Sequence, residues 1–292
     1  MYVIVGGSGF LGRYLIKNIL ENTTDKIIAT YSNEKPDFEN ERLIWQKVDI
    51  QLNTDLEQLN NLMSNDAKVI FLAAYHHPDK VEQNQSLAWN INIIALANAL
   101  NILSKAKVFY YASTDSVYGE GSETLKFKEE DPCNPVNLYG KHKTLAEQLV
   151  LTKGYNVIRY PFIIGSSLVE NKKHFFDNII DDIKNEKIVE MFSDSYRSTL
   201  SFNQCADYLI EIIEKYGSCP EKTLNIASDF SMSKYDVAIK ICDIFNLDKK
   251  FVKPISIDDC KQIFTAKRAT TAVLDNSKLR KILQLNRIEL EF

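Results

Sequence analysis

The sequence predicts an α/β protein built on a doubly wound parallel sheet, with a smaller interleaved domain towards the C-terminus. Three observations lead to this prediction. Short β-branched apolar runs alternate with longer helical patterns through the first half of the chain. These apolar runs are nearly continuous, which is typical of strands covered on both faces. A glycine-rich loop follows the first run at residue 6. The right-handed crossover rule then favours a doubly wound sheet.

The first half of the chain alternates between predicted strands and predicted helices. The strands are Tyr2–Val5, Ile27–Tyr31, Leu43–Val48, Val69–Ala73, Val108–Ala112 and Val157–Tyr160. The helices are Phe10–Leu20, Ser86–Leu103 and Leu138–Leu151. In the first helix Leu11, Leu15 and Ile19 recur at the spacing of one core-facing side.

After Pro161 the rhythm of the sequence changes. We expect helices over Lys172–Lys184, Ser201–Tyr216, Ser231–Phe245 and Asn276–Leu283, a strand over Thr223–Ile226, and a polar, aromatic loop over Phe192–Arg197. Ser231 or Ser233 is the candidate N-cap of the third helix. No linker rich in proline or glycine separates two parts, so the domains are expected to interleave. We expect the larger domain at 1–165 plus 200–227 and the smaller one at 166–199 plus 228–292.

Composition and charge exclude several classes of protein. The 292 residues are 45% hydrophobic and 25% charged, which is ordinary for a globular protein. Thirty-five basic and thirty-nine acidic residues give a net charge of −4. That charge does not favour binding to a nucleic acid. The apolar runs are far shorter than the roughly 18–20 residues of a membrane span, and no signal peptide is evident. We therefore expect a soluble, cytoplasmic protein with no membrane partner.

The cysteines and histidines show no spacing typical of a metal site. The five cysteines are widely scattered and none forms a C-x-x-C pair. His76 and His77 are adjacent, so on a regular element they would face different directions. We expect reduced thiols and no bound metal.

The glycine loop Gly6–Gly12 joins the first strand to the first helix. Its glycines fit G-x-x-G-x-x-G, from Gly6, Gly9 and Gly12, or G-x-G-x-x-G, which begins at Gly7. In either reading the glycines permit a tight turn and close approach to a pyrophosphate, while the helix N-terminus supplies free amides. The strand–loop–helix context makes this signal specific. We expect a dinucleotide cofactor at this loop.

The tip of the second strand bears on which cofactor is bound. An NAD site usually places an acid here to hold the ribose 2′-hydroxyl. The tip reads Ser32-Asn33, and Glu34 comes slightly late. With Lys35 nearby, a 2′-phosphate would meet donors and a cation, so NADP(H) is preferred and NAD(H) remains possible. Asp49 follows the third strand and is placed to receive the adenine amino group; the alternative is a turn residue.

A second group of motifs carries acid–base chemistry. Tyr139 and Lys143 form Y-x-x-x-K in a predicted helix, which puts the phenol and the ammonium on one face. The cation is expected to lower the pKa of the phenol towards neutrality. The stretch Ala112–Gly119 lies just past a strand and contains several hydroxyl side chains, one of which can hydrogen-bond a reacting carbonyl or alcohol oxygen.

Together these motifs resemble the extended short-chain dehydrogenase/reductases, the NAD-dependent epimerase/dehydratase group that acts on nucleotide sugars. The resemblance covers nearly the whole chain and rests on Gly6–Gly12, Val48-Asp49, Leu72–Ala74, Asn92, Ser113–Gly119, Tyr139–Lys143, Arg159–Pro161, Arg197 and Asn225–Ala227. Three further stretches are similar to dTDP-4-dehydrorhamnose reductases and to methionine adenosyltransferase β subunits: Ala73–Glu82, Pro135–Lys141 and Arg268–Leu279.

The resemblance implies a Rossmann-type NAD(P)-binding domain, a smaller substrate-binding domain and a set of site residues. Thr114 would bind the substrate 4-oxygen, Tyr139 would act as acid and base, and Lys143 would hold the nicotinamide ribose. Arg197 resembles the arginine that meets the substrate pyrophosphate; the alternative is a surface charge. The expected substrate contacts are Thr114, Asp115, Ser116, Tyr139 and Arg197. The expected cofactor contacts are Gly6, Gly9, Phe10, Leu11, Gly12, Ser32, Asn33, Asp49, Ile50, Ala73, Ala74, Asn92, Ser113, Tyr139, Lys143 and Pro161.

One departure from the family pattern separates the candidate reactions. Nucleotide-sugar 4,6-dehydratases have a glutamate where this chain has Ser116, so the base for dehydration is missing. The main hypothesis is a 4-ketoreductase of an NDP-4-keto-6-deoxy sugar, serving polysaccharide biosynthesis. The alternatives are a C4 epimerase with retained NAD and a non-catalytic regulatory subunit resembling the adenosyltransferase β chain. The family also implies a homodimer formed through Ser86–Leu103 and Leu138–Leu151.

Overall fold

The computed structural model describes residues 1–292, except for the side chain of Lys261. In chain order the strands are β1 (Tyr2–Val5), β2 (Ile27–Tyr31), β3 (Leu43–Lys47), β4 (Ala67–Phe71), β5 (Ala106–Thr114), β6 (Asn156–Tyr160), β7 (Ile163–Ile164), β8 (Val189–Phe192), β9 (Tyr196–Ser198), β10 (Leu200–Ser201), β11 (Thr223–Asn225), β12 (Ser231–Ser233), β13 (Val252–Ile255) and β14 (Thr271–Ala272).

The α-helices alternate with these strands. They are α1 (Phe10–Asn22), α2 (Asn53–Leu62), α3 (Pro78–Gln83), α4 (Gln85–Trp89), α5 (Ala95–Ile102), α6 (Leu138–Thr152), α7 (Phe175–Lys184), α8 (Phe202–Tyr216), α9 (Lys234–Phe245) and α10 (Ser277–Leu283). A π-helical turn, Asn90–Ile94, joins α4 to α5, and short 3-10 turns lie at Asp115–Val117, Lys249–Phe251 and Asp258–Ile263. No described helix is long and apolar enough to cross a membrane.

A seven-stranded sheet in the order β11-β6-β5-β4-β1-β2-β3 forms the centre of the fold. All its neighbouring strands are parallel. The chain winds outwards in opposite directions from β1 and β4, which leaves a crevice at the carboxyl ends of these strands. The doubly wound parallel sheet that the sequence predicts is confirmed.

Two apolar cores cover the two faces of this sheet because side chains alternate along each strand. In β1, Tyr2 and Ile4 pack in one core with α1, α8 and α10, whereas Val3 and Val5 pack in the other with α2, α5 and α6. Both faces are therefore buried, as the continuous apolar strands indicate.

A third core belongs to the smaller part of the chain and lies between α7, α9, β8 and β13. Here β8 pairs with β13, and β9 pairs with both β12 and β14. Helix α10 lies elsewhere: Leu279 and Leu283 pack in the core of the large sheet, although the predicted boundaries put them in the smaller domain. The division into two domains stays a prediction.

Several predicted elements differ from those of the structure. The predicted helix Ser86–Leu103 is interrupted by the π-helical turn. The predicted loop Phe192–Arg197 contains the end of β8 and the start of β9, because both strands pair with later segments. In the predicted helix Ser231–Phe245, the first three residues form β12 and Ser233 caps α9, its hydroxyl accepting from the amide of Asp236 at 3.0 Å. Sequence reasoning did not anticipate α2.

Candidate active site

The glycine loop forms a close-fitting turn between β1 and α1. Gly6 has a φ of +92°, and a Cβ added to it would lie 2.9 Å from the backbone nitrogen of Ala73. The amide of Gly6 donates to the hydroxyl of Thr30 at 2.9 Å. Only glycine permits both the left-handed φ and the close approach of the segment after β4. Ala73 therefore lies directly beside this turn, and Ala74 follows it in the chain.

The N-terminus of α1 fits the diphosphate of a dinucleotide cofactor. Gly9 is the N-cap, with no side-chain cap, and Phe10, Leu11 and Gly12 follow as the first helical residues. No acidic residue lies in this first turn. The uncapped amides and the positive end of the helix dipole favour an anion there.

The segments after β2 and β3 border the same crevice. Ser32 and Asn33 are exposed, whereas Ile50 is buried. Asp49 makes a turn: its Oδ1 accepts from the amide of Gln51 at 3.0 Å, and its own amide donates to Asp55. This contact matches the turn-residue alternative, and the adenine contact stays a prediction.

Arg13, which the sequence analysis did not single out, connects the glycine loop to the smaller part of the chain. Its guanidinium pairs with Glu170 and donates to the carbonyl of Leu168 at 3.2 Å. It lies over the rings of Phe38 and Trp45, at 5.3 and 5.4 Å from their centroids. The only sequence signal for this residue was its position directly after Gly12.

Asn92 shapes the loop after β4. Its side chain is 3% exposed. Its Oδ1 accepts from the amide of Tyr75 at 2.8 Å, and its Nδ2 donates to the carbonyl of Tyr75 at 3.0 Å. The π-helical turn holds this side chain, and such turns are frequent at functional sites. The amide therefore fixes the loop at Ala73–Tyr75, and a direct cofactor contact stays a prediction.

Thr114 and Tyr139 meet at the carboxyl end of the sheet. Thr114 ends β5, and its hydroxyl accepts from the amide of Ser116 at 3.2 Å and bonds Asp115 at 3.1 Å. Tyr139 lies in the first turn of α6, which Asn137 caps. A Cβ added to Gly140 would lie 2.5 Å from the carbonyl oxygen of Ser116, so only glycine lets α6 approach this turn.

The pKa of Tyr139 lies above its ordinary value. Burial raises this pKa, the carboxylate of Asp115 raises it further, and a hydrogen bond with Thr114 acts in the opposite direction. The phenol is therefore protonated at neutral pH. A protonated phenol is the form that can donate a proton to a carbonyl oxygen.

Lys143 does not lower the pKa of Tyr139, so that prediction is wrong for this structure. The ammonium of Lys143 is turned towards the sheet, where it donates to the hydroxyl of Tyr111 at 2.8 Å and to the carbonyl of Ala112 at 2.6 Å. Burial lowers the pKa of Lys143 to about 7, against the attraction of Glu147. Its charge at neutral pH is therefore partial, and its hydrogen bonds are made to β5.

Glu147 forms a buried ionic network behind this pair. It lies one helical turn after Lys143 on the same face of α6 and is completely buried. Its carboxylate accepts from the hydroxyl of Ser113, and from Nε and Nη2 of Arg159 at 3.0 and 2.6 Å. The network joins α6 to β5 and β6, and the hydroxyl of Ser113 belongs to it. The i, i+4 spacing was the signal that could have identified Glu147.

The guanidinium of Arg197 is bound by three backbone carbonyls and one carboxylate of the protein. Its Nη1 donates to the carbonyls of Tyr196 and Thr270, both at 2.8 Å, and its Nη2 donates to Ala269 at 2.6 Å. Its Nε lies 3.3 Å from Oδ2 of Asp115. Burial raises the pKa of Asp115, and this guanidinium opposes the rise. The contact of Arg197 with a substrate pyrophosphate stays a prediction.

A cavity of about 460 Å³ joins the end of the sheet to the smaller part of the chain. Thr114, Asp115, Ser116, Tyr139 and Pro161 line one side, and Phe192, Lys234, Phe264 and Arg268 belong to the opposite wall, which Arg197 completes. The volume is that of a small-molecule site. The structure thus brings together every residue predicted to contact the substrate.

The chain matches a protein-family model over almost its whole length. The model described as the RmlD substrate binding domain matches residues 1–290. The chain belongs to this family. The motif-based resemblance to dTDP-4-dehydrorhamnose reductases is therefore confirmed.

This chain is similar to curated proteins of two kinds, methionine adenosyltransferase β subunits and dTDP-4-dehydrorhamnose reductases. The chain is 28% identical to the bovine methionine adenosyltransferase 2 subunit beta, over 95% of this chain and 80% of that protein. It is 26% identical to the dTDP-4-dehydrorhamnose reductase of Aggregatibacter actinomycetemcomitans, over 95% of this chain and 91% of that one. The fold resembles the crystal structure of dTDP-4-dehydrorhamnose reductase from Bacillus anthracis in complex with NADP. That match has a TM-score of 0.79 and 21% identity, and covers 96% and 92% of the two chains.

Proposed function

We propose that this protein is an NAD(P)-dependent reductase that converts the 4-keto group of an NDP-4-keto-6-deoxy sugar into an alcohol. The carrying observation is that Tyr139 and Thr114 lie together in one cavity at the carboxyl ends of the strands. Membership of the family and the similarity to a curated dTDP-4-dehydrorhamnose reductase support the proposal.

In the proposed reaction the residues of the chain hold the substrate oxygen and supply its proton. The hydroxyl of Thr114 donates to the 4-oxygen and holds the carbonyl beside Tyr139. A nicotinamide bound along the crevice supplies the hydride. The phenolic oxygen of Tyr139 gives its proton to the 4-oxygen as negative charge develops there. Burial, together with the nearby carboxylate of Asp115, raises the pKa of Tyr139 and keeps the phenol protonated until then.

The charges in the cavity argue against dehydration. Asp79 and Asp115 are the carboxylates of the described cavity lining. Asp79 is paired with Arg268, and Asp115 with Arg197. Ser116 stands where a dehydratase would carry its acid, so no free carboxylate is available to remove a proton from C5.

For the cofactor we propose NADP(H) in preference to NAD(H). Ser32 and Asn33 are exposed at the tip of β2, where a 2′-phosphate would find donors and no carboxylate within those two positions. The Bacillus anthracis structure is a complex with NADP, which agrees with this preference.

Cytoplasmic activity fits the five free cysteines, since thiols stay reduced in that compartment.

The decisive experiment measures oxidation of NADPH and of NADH with a panel of nucleotide-linked 4-keto-6-deoxy sugars. We expect turnover with at least one sugar and a higher kcat/KM with NADPH. Absence of turnover across the panel would contradict the reductase. Mass spectrometry of the cofactor that copurifies distinguishes a reductase from an epimerase, because an epimerase retains NAD through its cycle.

A second candidate is a regulatory subunit, favoured by the 28% identity to the bovine methionine adenosyltransferase 2 subunit beta. In this case the protein would bind a methionine adenosyltransferase catalytic subunit and change its kinetics. Mixing the two purified proteins tests this. If Tyr139→Phe changes those kinetics as fully as the wild type does, the regulatory role is independent of catalysis.

We also propose a homodimer through α4, α5 and α6. Large apolar side chains are exposed on α4, on the π-helical turn that joins it to α5, and on α6: Leu87, Trp89, Ile94 and Leu145. Exposed apolar patches of this kind mark interfaces. Sedimentation should show a dimer for the wild type and a monomer for the combined variant Trp89→Lys/Leu145→Lys.

A further inference from the structure

Three cations line the cavity, and their partners differ. They are Arg197, Lys234 and Arg268. Arg197 is held by three backbone carbonyls and by Asp115, so its charge is balanced and its donors are directed into the protein. The sequence resemblance pointed to this arginine as the anion ligand, whereas the contacts describe a residue that connects β9 with the segment before β14.

Lys234 lacks any comparable partner. It is the first residue of α9, directly after the capping Ser233, and it is half-buried. Its ammonium lies 5.6, 5.4 and 5.6 Å from the ring centroids of Phe162, Phe175 and Phe192. Among the described residues, no hydrogen bond or ion pair satisfies this ammonium.

Such an arrangement costs free energy. The aromatic rings attract the cation weakly, while burial removes it from water. Burial and the positive charges of Arg197 and Arg268 all lower the pKa of Lys234. An anion in the cavity would reverse these costs, because its charge would pair with an ammonium that is already partly desolvated and held by three rings.

Arg268, a second cation of the cavity lining, has a side-chain nitrogen without a hydrogen-bond partner. Its Nη2 donates to Oδ2 of Asp79 at 2.6 Å, and its guanidinium lies 5.0 Å from the ring centroid of Phe264. Its Nη1 is buried and has no hydrogen-bond partner. The guanidinium is therefore oriented by one carboxylate and one ring, and its buried Nη1 is left without a hydrogen bond.

We propose that Lys234 and Arg268 form the diphosphate subsite of the nucleotide-sugar cavity, and that Arg197 is a structural residue. The inference rests on the proposed function and adds which residues of this chain hold the charged part of the substrate. Asp115 offsets Arg197 and Asp79 offsets Arg268, so the uncompensated positive charge is that of Lys234. This local charge binds an anion although the whole chain carries a net charge of −4.

Calorimetric titration of the full-length protein with thymidine diphosphate and uridine diphosphate tests the subsite. The protein is first saturated with NADP⁺, so that the glycine loop is not the diphosphate site being measured. We expect Lys234→Met to weaken nucleoside diphosphate binding at least about tenfold, the loss of one charge-assisted hydrogen bond. Arg268→Met should also weaken binding. Lys253→Met, an exposed lysine of β13, is the matched control and should bind like the wild type.

Thermal unfolding gives a second readout, which a merely structural lysine would not share. Removing an unpaired, partly buried cation should leave the melting temperature of Lys234→Met unchanged or raised while binding is lost. Arg197→Met should instead lower the melting temperature, since four contacts are removed. Lys234→Arg should recover part of the affinity. Nucleotide affinity of Lys234→Met equal to that of the wild type, or absence of nucleotide binding by the wild type, would overturn the subsite.

The outcome for the subsite can be separated from that for the proposed reaction. If Lys234→Met loses nucleotide affinity but the wild type reduces no 4-keto sugar, the subsite stands and the reductase fails. If the wild type reduces a sugar and Lys234→Met binds normally, the reaction stands and the subsite fails.

Discussion

The charged side chains on the two sides of the cavity differ in whether they have partners within the protein. Behind the sheet wall, Glu147 and Arg159 are buried together and bonded to each other. In the opposite wall, the ammonium of Lys234 lies near three aromatic rings and has no hydrogen bond or ion pair among the described residues, and one buried nitrogen of Arg268 has no hydrogen-bond partner. The satisfied pair holds α6 against the sheet, whereas an unsatisfied cation in a cavity lining, such as Lys234, is a candidate ligand contact.

The largest expected effect is on the chemistry at the sheet wall. Tyr139→Phe removes the proton donor but keeps the ring, so we expect kcat to fall by about 10²–10⁴-fold. Steady-state kinetics with NADPH measure the loss. A variant that keeps more than about a tenth of the wild-type kcat would contradict the role of Tyr139 as the acid.

The second largest effect is expected on stability, when the buried ion pair of Glu147 and Arg159 is broken. Glu147→Gln leaves Arg159 buried without its counter-charge, so we expect about 3–5 kcal/mol less free energy of unfolding. Chemical denaturation measures it. The double variant Glu147→Gln/Arg159→Met removes both charges and should recover much of the loss. If the single variant unfolds like the wild type, the pair does not hold α6 against the sheet.

The depressed pKa of Lys143 predicts a dependence of stability on pH. Its pKa is about 7 in the folded chain, below the ordinary value of 10.5. Between these values the unfolded chain binds the proton that the folded chain has released, so the contribution of Lys143 to stability rises with pH. Wild type and Lys143→Met should therefore differ by an amount that grows in favour of the wild type from pH 7 towards pH 10. A stability difference that stays constant with pH would show that the pKa of Lys143 is not lowered in the folded chain.

The smallest effect is expected for an ion pair on the surface. Lys173 pairs with Asp181, but both side chains are exposed, at 66% and 42%. Solvent and salt screen such pairs, so Lys173→Ala should leave the unfolding free energy unchanged within error. This variant is the reference for Glu147→Gln, and a clear destabilisation would show that exposure does not separate the two ion pairs.

Much of the fold could be predicted from the sequence because its signals are local. The apolar strands Tyr2–Val5 and Ile27–Tyr31 have the predicted bounds, and α1 begins at the predicted Phe10. Strand β9 could not be predicted, since it pairs with two segments that come later in the chain. Likewise, the π-helical turn accompanies hydrogen bonds between Asn92 and the distant Tyr75, which no helical periodicity reveals.

For the site, residue types and spacings were enough to identify the groups that can do the chemistry: a glycine turn before a helix, a tyrosine and a lysine one helical turn apart, and a threonine at the end of a strand. Their charge states and partners depend on tertiary contacts. Lys143 faces Tyr111, and Arg197 is bound to backbone carbonyls. Lys234, which follows an ordinary helix cap, is the cation left free. The physical reason is that residue type sets what a side chain can donate, whereas burial and distant neighbours set whether that donor is already occupied.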